Sequence, residues 1–176
     1  MWIEKFKGTI DIWINELDSY SIHQLSVKPN SKSWSLGQLY QHIIDETSWY
    51  HGQIEISLLD DAHASVPTTD VAAALFKAGS FADRRIQGDP LISENVKQPK
   101  SIDQIRSDLE KLKINTNKIW ETISKTPSYG KSEHPGMGFL TSFEWLQYSE
   151  MHMRHHLMQK RRIDSFLNKH TVNTNK

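Results

Sequence analysis

The chain has 176 residues, of which 37% are apolar and 24% charged, with six tryptophans and no cysteine. Twenty-one basic residues balance twenty-one acidic ones, so no basic excess offers nucleic acid a broad binding surface. Without cysteine there are no disulfides, no thiolate metal sites and no cysteine nucleophile, and any transition-metal site must use His, Asp or Glu.

The length suits one domain with a sizeable core. No apolar run reaches the roughly 18 residues a membrane span needs. The opening stretch, MWIEKFKGTIDIW, carries charges throughout and has no secretory h-region or cleavage site, so a cytoplasmic location is expected.

The first predicted helix covers residues 2–19, where Trp2, Ile3, Phe6, Ile10, Trp13, Ile14 and Leu17 recur at helical spacing. Residues 19–33 break that pattern, and Pro29 with Asn30 marks a loop. A second helix opens at Ser35, whose spacing to Gln38 forms a capping box, with Trp34 and Leu39 available as a hydrophobic staple. Its apolar face runs through Leu39, Ile43, Trp49, Tyr50, Ile54 and Leu58. His42 lies on the stripe shared by Leu39, Glu46 and Trp49. Alone it reads as a boundary histidine or as a ligand; His51 lies on another face.

Residues 60–100 are the least regular. Asp60, Asp61 and Pro67 open a loop, residues 71–81 have helical potential interrupted by Gly79, and Gly88, Pro90 and Pro99 keep the chain irregular. A long crossover with one short helix is expected. The third long helix starts near Ser101, with Gln104 completing a cap. Its inner stripe is Ile102, Ile105, Leu109, Leu112, Ile119, Trp120 and Ile123, and Pro127 and Gly130 end it. Residues 131–139 then form a turn. No strand pattern competes with the helices, and there is no Gly-rich phosphate loop, nucleophile elbow or tandem repeat.

The last helix carries the chemistry. Thr141 and Glu144 make a capping box, flanked by Leu140 and Trp145 as a staple. His152 and His156 stand four apart, so both imidazoles leave one helical face about a turn apart. Trp145, Tyr148, Gln159 and Ile163 continue that stripe. Two imidazoles so placed can share a divalent ion, although the same spacing also occurs on solvated faces, and His155 adds a third histidine. Arg154 and the Lys160–Arg161–Arg162 run read as the wet side. After Asn168 the chain reads as a polar, frayed tail, which gives one domain over residues 1–168 and a flexible tail over 169–176. Four long helices with a long crossover between the second and third predict an all-α four-helix bundle.

Two stretches resemble the DinB/YfiT-like superfamily of bacterial four-helix-bundle metalloproteins. Residues 34–42, WSLGQLYQH, resemble the opening of the family's second helix, where an aromatic and a small polar cap precede a histidine. Residues 134–159, HPGMGFLTSFEWLQYSEMHMRHHLMQ, resemble its His-Pro turn and following His-x-x-x-His helix with a downstream Gln. The resemblance implies that His42, His152 and His156, and not His155, bind a divalent metal, nickel or zinc. Three imidazoles plus water is the composition of a catalytic rather than a closed structural site. His134 reads as structural, near the site mouth. Asp45 and Glu46 read either as acceptors for an imidazole N–H or as solvated or capping carboxylates.

The resemblance further implies a metal-dependent enzyme acting on a small molecule. It is either a hydrolase or a transferase of a low-molecular-weight thiol, such as bacillithiol or mycothiol, onto an electrophile. The alternative is a non-catalytic metal-binding or stress-response dimerisation module. No residue can be singled out from the sequence as general acid or base. The six tryptophans and outer faces that retain apolar surface point to a homodimer.

Overall fold

The computed structural model describes residues 2–82, 95–126 and 130–173. Its elements in chain order are α1 (Trp2–Glu16), a 3-10 turn (Leu17–Ser19), α2 (Ile22–Ser26), α3 (Leu36–Ser57), α4 (Asp70–Ala78) and α5 (Ile102–Lys125). The strands β1 (Lys131–His134) and β2 (Gly138–Thr141) follow, and α6 (Ser142–Asn173) closes the chain. The predicted four long helices are α1, α3, α5 and α6. Each of α1 and α3 packs against both α5 and α6. The first two long helices are therefore diagonal partners across the four-helix bundle.

The stripes read from the sequence form its core. Phe6, Ile10, Trp13 and Leu17 from α1 meet Leu39, Tyr40, Ile43, Tyr50 and Ile54 from α3, Ile105 and Leu109 from α5, and Trp145, Leu146 and Met153 from α6. Burying each large side chain contributes roughly 1.5–3 kcal/mol. One polar chain crosses this core. The Tyr40 hydroxyl donates to the Trp13 carbonyl at 3.0 Å, and the Trp13 indole N–H donates to the Met153 carbonyl at 3.3 Å. It fixes α3, α1 and α6 at the level of His42 and His152.

All three predicted caps form. Ser35 accepts from the Gln38 N–H while Gln38 reaches back to the Ser35 N–H, and Ser101 accepts from the Gln104 N–H. The Thr141 hydroxyl accepts from the Glu144 N–H at 3.2 Å, and Glu144 accepts from the Thr141 N–H at 2.8 Å. The Ser35 cap is itself gripped by the crossover. Gln98 donates to its hydroxyl at 2.8 Å, and Gln38 donates to the Val96 carbonyl at 2.7 Å. Gly37 permits this close approach, since a Cβ there would stand 2.9 Å from the Leu25 carbonyl and 3.0 Å from Pro99.

Several expectations need correction. Residues 19–33 are not all loop: Ser21 and Gln24 make a capping box that starts the five-residue α2. Gly79 does not interrupt the crossover helix but ends it, with φ of 64°, a conformation glycine adopts without steric cost. The expected turn over residues 131–139 is part of an antiparallel hairpin over residues 131–141, pairing Lys131 with Thr141 and His134 with Gly138. α6 runs to Asn173. Gly88, Pro90 and Pro127 lie outside the described residues.

The largest correction is Lys160, which is 1% exposed rather than on the wet side. Its ammonium pairs with Glu16, donates to the Tyr20 hydroxyl at 2.6 Å and to Asp164 at 2.9 Å. Burial opposes its charge, but the bonds to Glu16, Tyr20 and Asp164 prevail and hold its pKa above the ordinary lysine range. Arg154 is also engaged: it pairs with the fully buried Glu150 at 2.8 Å and donates to the Gly79 carbonyl at 2.7 Å. Glu150 further accepts from Thr9 at 3.1 Å and pairs with Lys5.

His51, on its separate face, is buried against α5. The Thr116 hydroxyl donates to the Leu112 carbonyl at 2.8 Å. It is therefore left to accept from the His51 Nε2–H at 3.3 Å. Burial pushes the His51 pKa down to about 4. An unfolded histidine, with pKa near 6.5, binds a proton that the folded one refuses. Stability is thus full above about pH 6.5 and falls as pH drops toward 4, by up to about 1.4 kcal/mol per unit for this residue. Denaturation of the metal-free protein across that window should show a shallower acid loss in H51Q than in the unmodified chain. Equal slopes would contradict this account.

Candidate metal centre

The site forms where α3 and α6 pack against each other. His42 stands in the second turn of α3, placed by the Ser35 cap and by Trp34, whose ring lies 4.7 Å from its own. His152 and His156 come from successive turns of α6. The ring centroids are 4.8 Å apart for His42 and His156, 5.2 Å for His42 and His152, and 4.5 Å for His152 and His156. His156 Nε2 lies 3.1 Å from both His42 Nε2 and His152 Nε2. The structure brings together the three histidines named from the sequence, with ligand nitrogens all within 4.8 Å of one another.

The protonation pattern suits a cation. His156 Nδ1 lies 2.9 Å from the Gln159 side-chain oxygen. That oxygen can only accept, so Nδ1 carries the proton and Nε2 turns its lone pair to the cluster. One lone pair cannot satisfy two neighbouring imidazoles at 3.1 Å, whereas a shared ion satisfies all three. Nitrogens 3.1 Å apart, each about 2.05 Å from one ion, subtend roughly 98°. That angle lies between the ideals of octahedral and tetrahedral coordination. His152 Nδ1 is sealed with no hydrogen-bond partner among the described residues, so its polar partner is found on the cluster side, at Nε2.

Burial drives all three rings neutral. It lowers the His42 pKa to about 3, with His156 adding repulsion. It lowers His156 to about 4, against a smaller opposing effect of the Gln159 bond. His152 is held well below the ordinary value by burial and then by the neighbouring histidines. Neutral imidazole is the metal-binding form, so near pH 7 no proton need be displaced.

The other candidates fall outside the cluster. His155 turns toward Phe81, 5.5 Å between ring centroids. His134 Nδ1 accepts from the Gly136 N–H at 3.0 Å, so its nitrogen serves the turn, while its ring lies 4.5 Å from that of Tyr148. Of the two readings of Asp45 and Glu46, the first is not met: neither side chain accepts from an imidazole among the described residues. Asp45 is exposed and accepts from Gln41 at 2.8 Å, and Glu46 accepts from the Tyr50 hydroxyl at 2.9 Å. Gln159 is the acceptor instead, three residues after His156 and so within reach on the same helix.

Sequence reasoning missed the aromatic wall. Tyr50 meets His152 edge-on at 5.5 Å, Phe81 stands 6.5 Å from it, and Tyr148 lies nearly parallel to it at 6.4 Å. Tyr148 was visible on the His152 stripe, but Phe81 arrives from the crossover and had no local signal. Trp49 is 42% exposed at the rim, packed on Trp145.

No known family model matches the chain, and no curated protein matches it. Among solved structures it is similar to YfiT from Bacillus subtilis, described as a probable metal-dependent hydrolase with an unusual four-helix bundle topology. The identity is 16%, covering 93% of this chain and 86% of that one, with a TM-score of 0.49.

Replacing the outer acceptor of a ligating imidazole weakens metal affinity about ten- to hundredfold. Gln159→Leu should do so in a zinc competition titration against a chromophoric chelator, while Gln159→Glu, which keeps an acceptor, should bind at least as tightly as the unmodified protein. Unchanged affinity in Q159L would contradict the role assigned to Gln159.

Proposed function

We propose that His42, His152 and His156 bind one divalent ion, nickel or zinc, and that the protein is a metal-dependent hydrolase of a small molecule. The observation that carries this reading is the convergence of three imidazole Nε2 atoms in a part-buried cluster. The motif resemblance of residues 34–42 and 134–159 supports the same ligand set. Three protein ligands leave coordination positions for reactants, which distinguishes a catalytic from a structural site. When bound, the ion supplies Lewis acidity, which lowers the pKa of water toward 7 or polarises a carbonyl oxygen.

The chain's own residues have distinct tasks in this reading. Gln159 holds His156 in the tautomer that presents Nε2. Trp34, Tyr50, Tyr148 and Phe81 wall the cluster, thin out water around it and offer apolar surface to the substrate. A low-molecular-weight thiol remains the competing nucleophile. It would arrive with the substrate, since the chain has no cysteine. Among the described residues no helix is long and apolar enough to cross a membrane, in keeping with action on a dissolved substrate. The proposed homodimer would bury outer apolar residues such as Ile12, Val71 and Ile114.

His156→Ala should abolish stoichiometric zinc and nickel binding and, with it, hydrolysis of p-nitrophenyl acetate by the loaded protein. A parallel assay of bacillithiol with 1-chloro-2,4-dinitrobenzene separates hydrolysis from thiol transfer. If the loaded protein turns over neither substrate and differs from the metal-free form only in stability, the ion is structural. The non-catalytic dimerisation module then replaces the enzyme.

A further inference from the structure

We infer that Tyr148 is a hydrogen-bond donor to the substrate at the three-histidine cluster, aimed at an oxygen on which negative charge develops. The inference rests on the metal-site reading above. Tyr148 sits one helical turn before His152 on α6, and the two rings are within 10° of parallel with centroids 6.4 Å apart. A turn of helix therefore places the phenol beside the cluster on the same face.

Two tyrosines line this wall, and their hydroxyls differ. The Tyr50 hydroxyl is committed: it donates to Glu46 at 2.9 Å. The Tyr148 hydroxyl has no hydrogen bond among the described residues, although the residue is only 8% exposed. It is also absent from the sealed polar atoms that lack partners, so it keeps contact with solvent space. A tyrosine this buried ordinarily finds a partner for its hydroxyl. One that does not, beside a cluster of metal-ligating type, is free to bond a ligand.

The ring is also held in place. Tyr50 and Phe81 meet it edge-on at 5.3 Å each, at 84° and 87°. His134 packs on it at 4.5 Å and Trp145 at 6.3 Å. A donor fixed by four ring contacts needs no reorganisation when charge develops, which is the condition for electrostatic stabilisation of an oxyanion. A phenol ionises only at about pH 10, so at neutral pH the hydroxyl is a donor.

The inference also restricts the substrate class. A donor and an ion on one wall suit a group with an oxygen that gains charge, such as an ester, amide or lactone carbonyl. The surrounding aromatic rings suit an apolar or aromatic substituent on it.

Acetohydroxamate serves as the probe, because it chelates a metal through oxygens and presents an oxyanion to a neighbouring donor. Cobalt(II)-loaded protein, titrated by its visible spectrum, reports both cobalt and hydroxamate binding without any turnover. Y148F keeps the ring, so its cobalt affinity should match that of the unmodified protein while hydroxamate binds about ten- to hundredfold more weakly. Cobalt binding with hydroxamate affinity unchanged in Y148F overturns this assignment alone. Failure of the unmodified protein to bind cobalt overturns the metal reading and this assignment with it.

Discussion

Three imidazoles can share a few ångströms of protein interior only while they are uncharged, and that constraint shapes the rest of the molecule. Charging any one ring would expose it to desolvation and to two like neighbours. The fold therefore supplies an environment in which three neutral imidazoles turn Nε2 toward one another. Such an arrangement has little value to an apolar core, where each polar nitrogen carries a burial cost of a few kcal/mol unless it is bonded. A divalent ion resolves that cost for all three at once.

Keeping the rings together is a matter of helix register. A slip of one residue on α6 would rotate its face by about 100° and carry both histidines away from His42. The chain opposes this at three levels. The Thr141–Glu144 and Ser35–Gln38 boxes fix where each helix starts. The Tyr40–Trp13–Met153 chain locks both helices to α1 at the level of the cluster. Buried charges bracket the cluster on α6: Glu150 is bonded to Thr9, Lys5 and Arg154 before it, and Lys160 to Glu16, Tyr20 and Asp164 after it. Stripping Glu150 or Lys160 of all its charged partners would leave an uncompensated buried charge, which costs about 3–5 kcal/mol. These groups act on specificity of register as well as on stability.

What could be read from the sequence was what is local in it. A capping signature spans four residues, so Ser35–Gln38, Ser101–Gln104 and Thr141–Glu144 were legible, and each of the three forms a cap. The same signature at Ser21–Gln24 went unread because only a five-residue helix follows it. The hairpin of β1 and β2 was hidden by strands of four residues each, too short for alternation to declare itself. Helical spacing gave the shared face of His152 and His156. That His42 meets them, across 114 positions of sequence, came only through the family resemblance. Lys160 was misread because its partners Glu16 and Tyr20 are brought to it by α1 and the turn that follows. A buried lysine has no signature of its own. Gln159 was present in the recognised motif, but its task needed the 2.9 Å contact to be seen.

The most direct test is X-ray absorption at the metal edge of the purified protein, with elemental analysis of the same sample for stoichiometry. The account predicts one nickel or zinc ion per chain, with a first shell whose scattering carries the outer-ring signature of three imidazoles at about 2.0–2.1 Å. A protein that retains no ion after loading would contradict it, and so would an ion surrounded by oxygen alone.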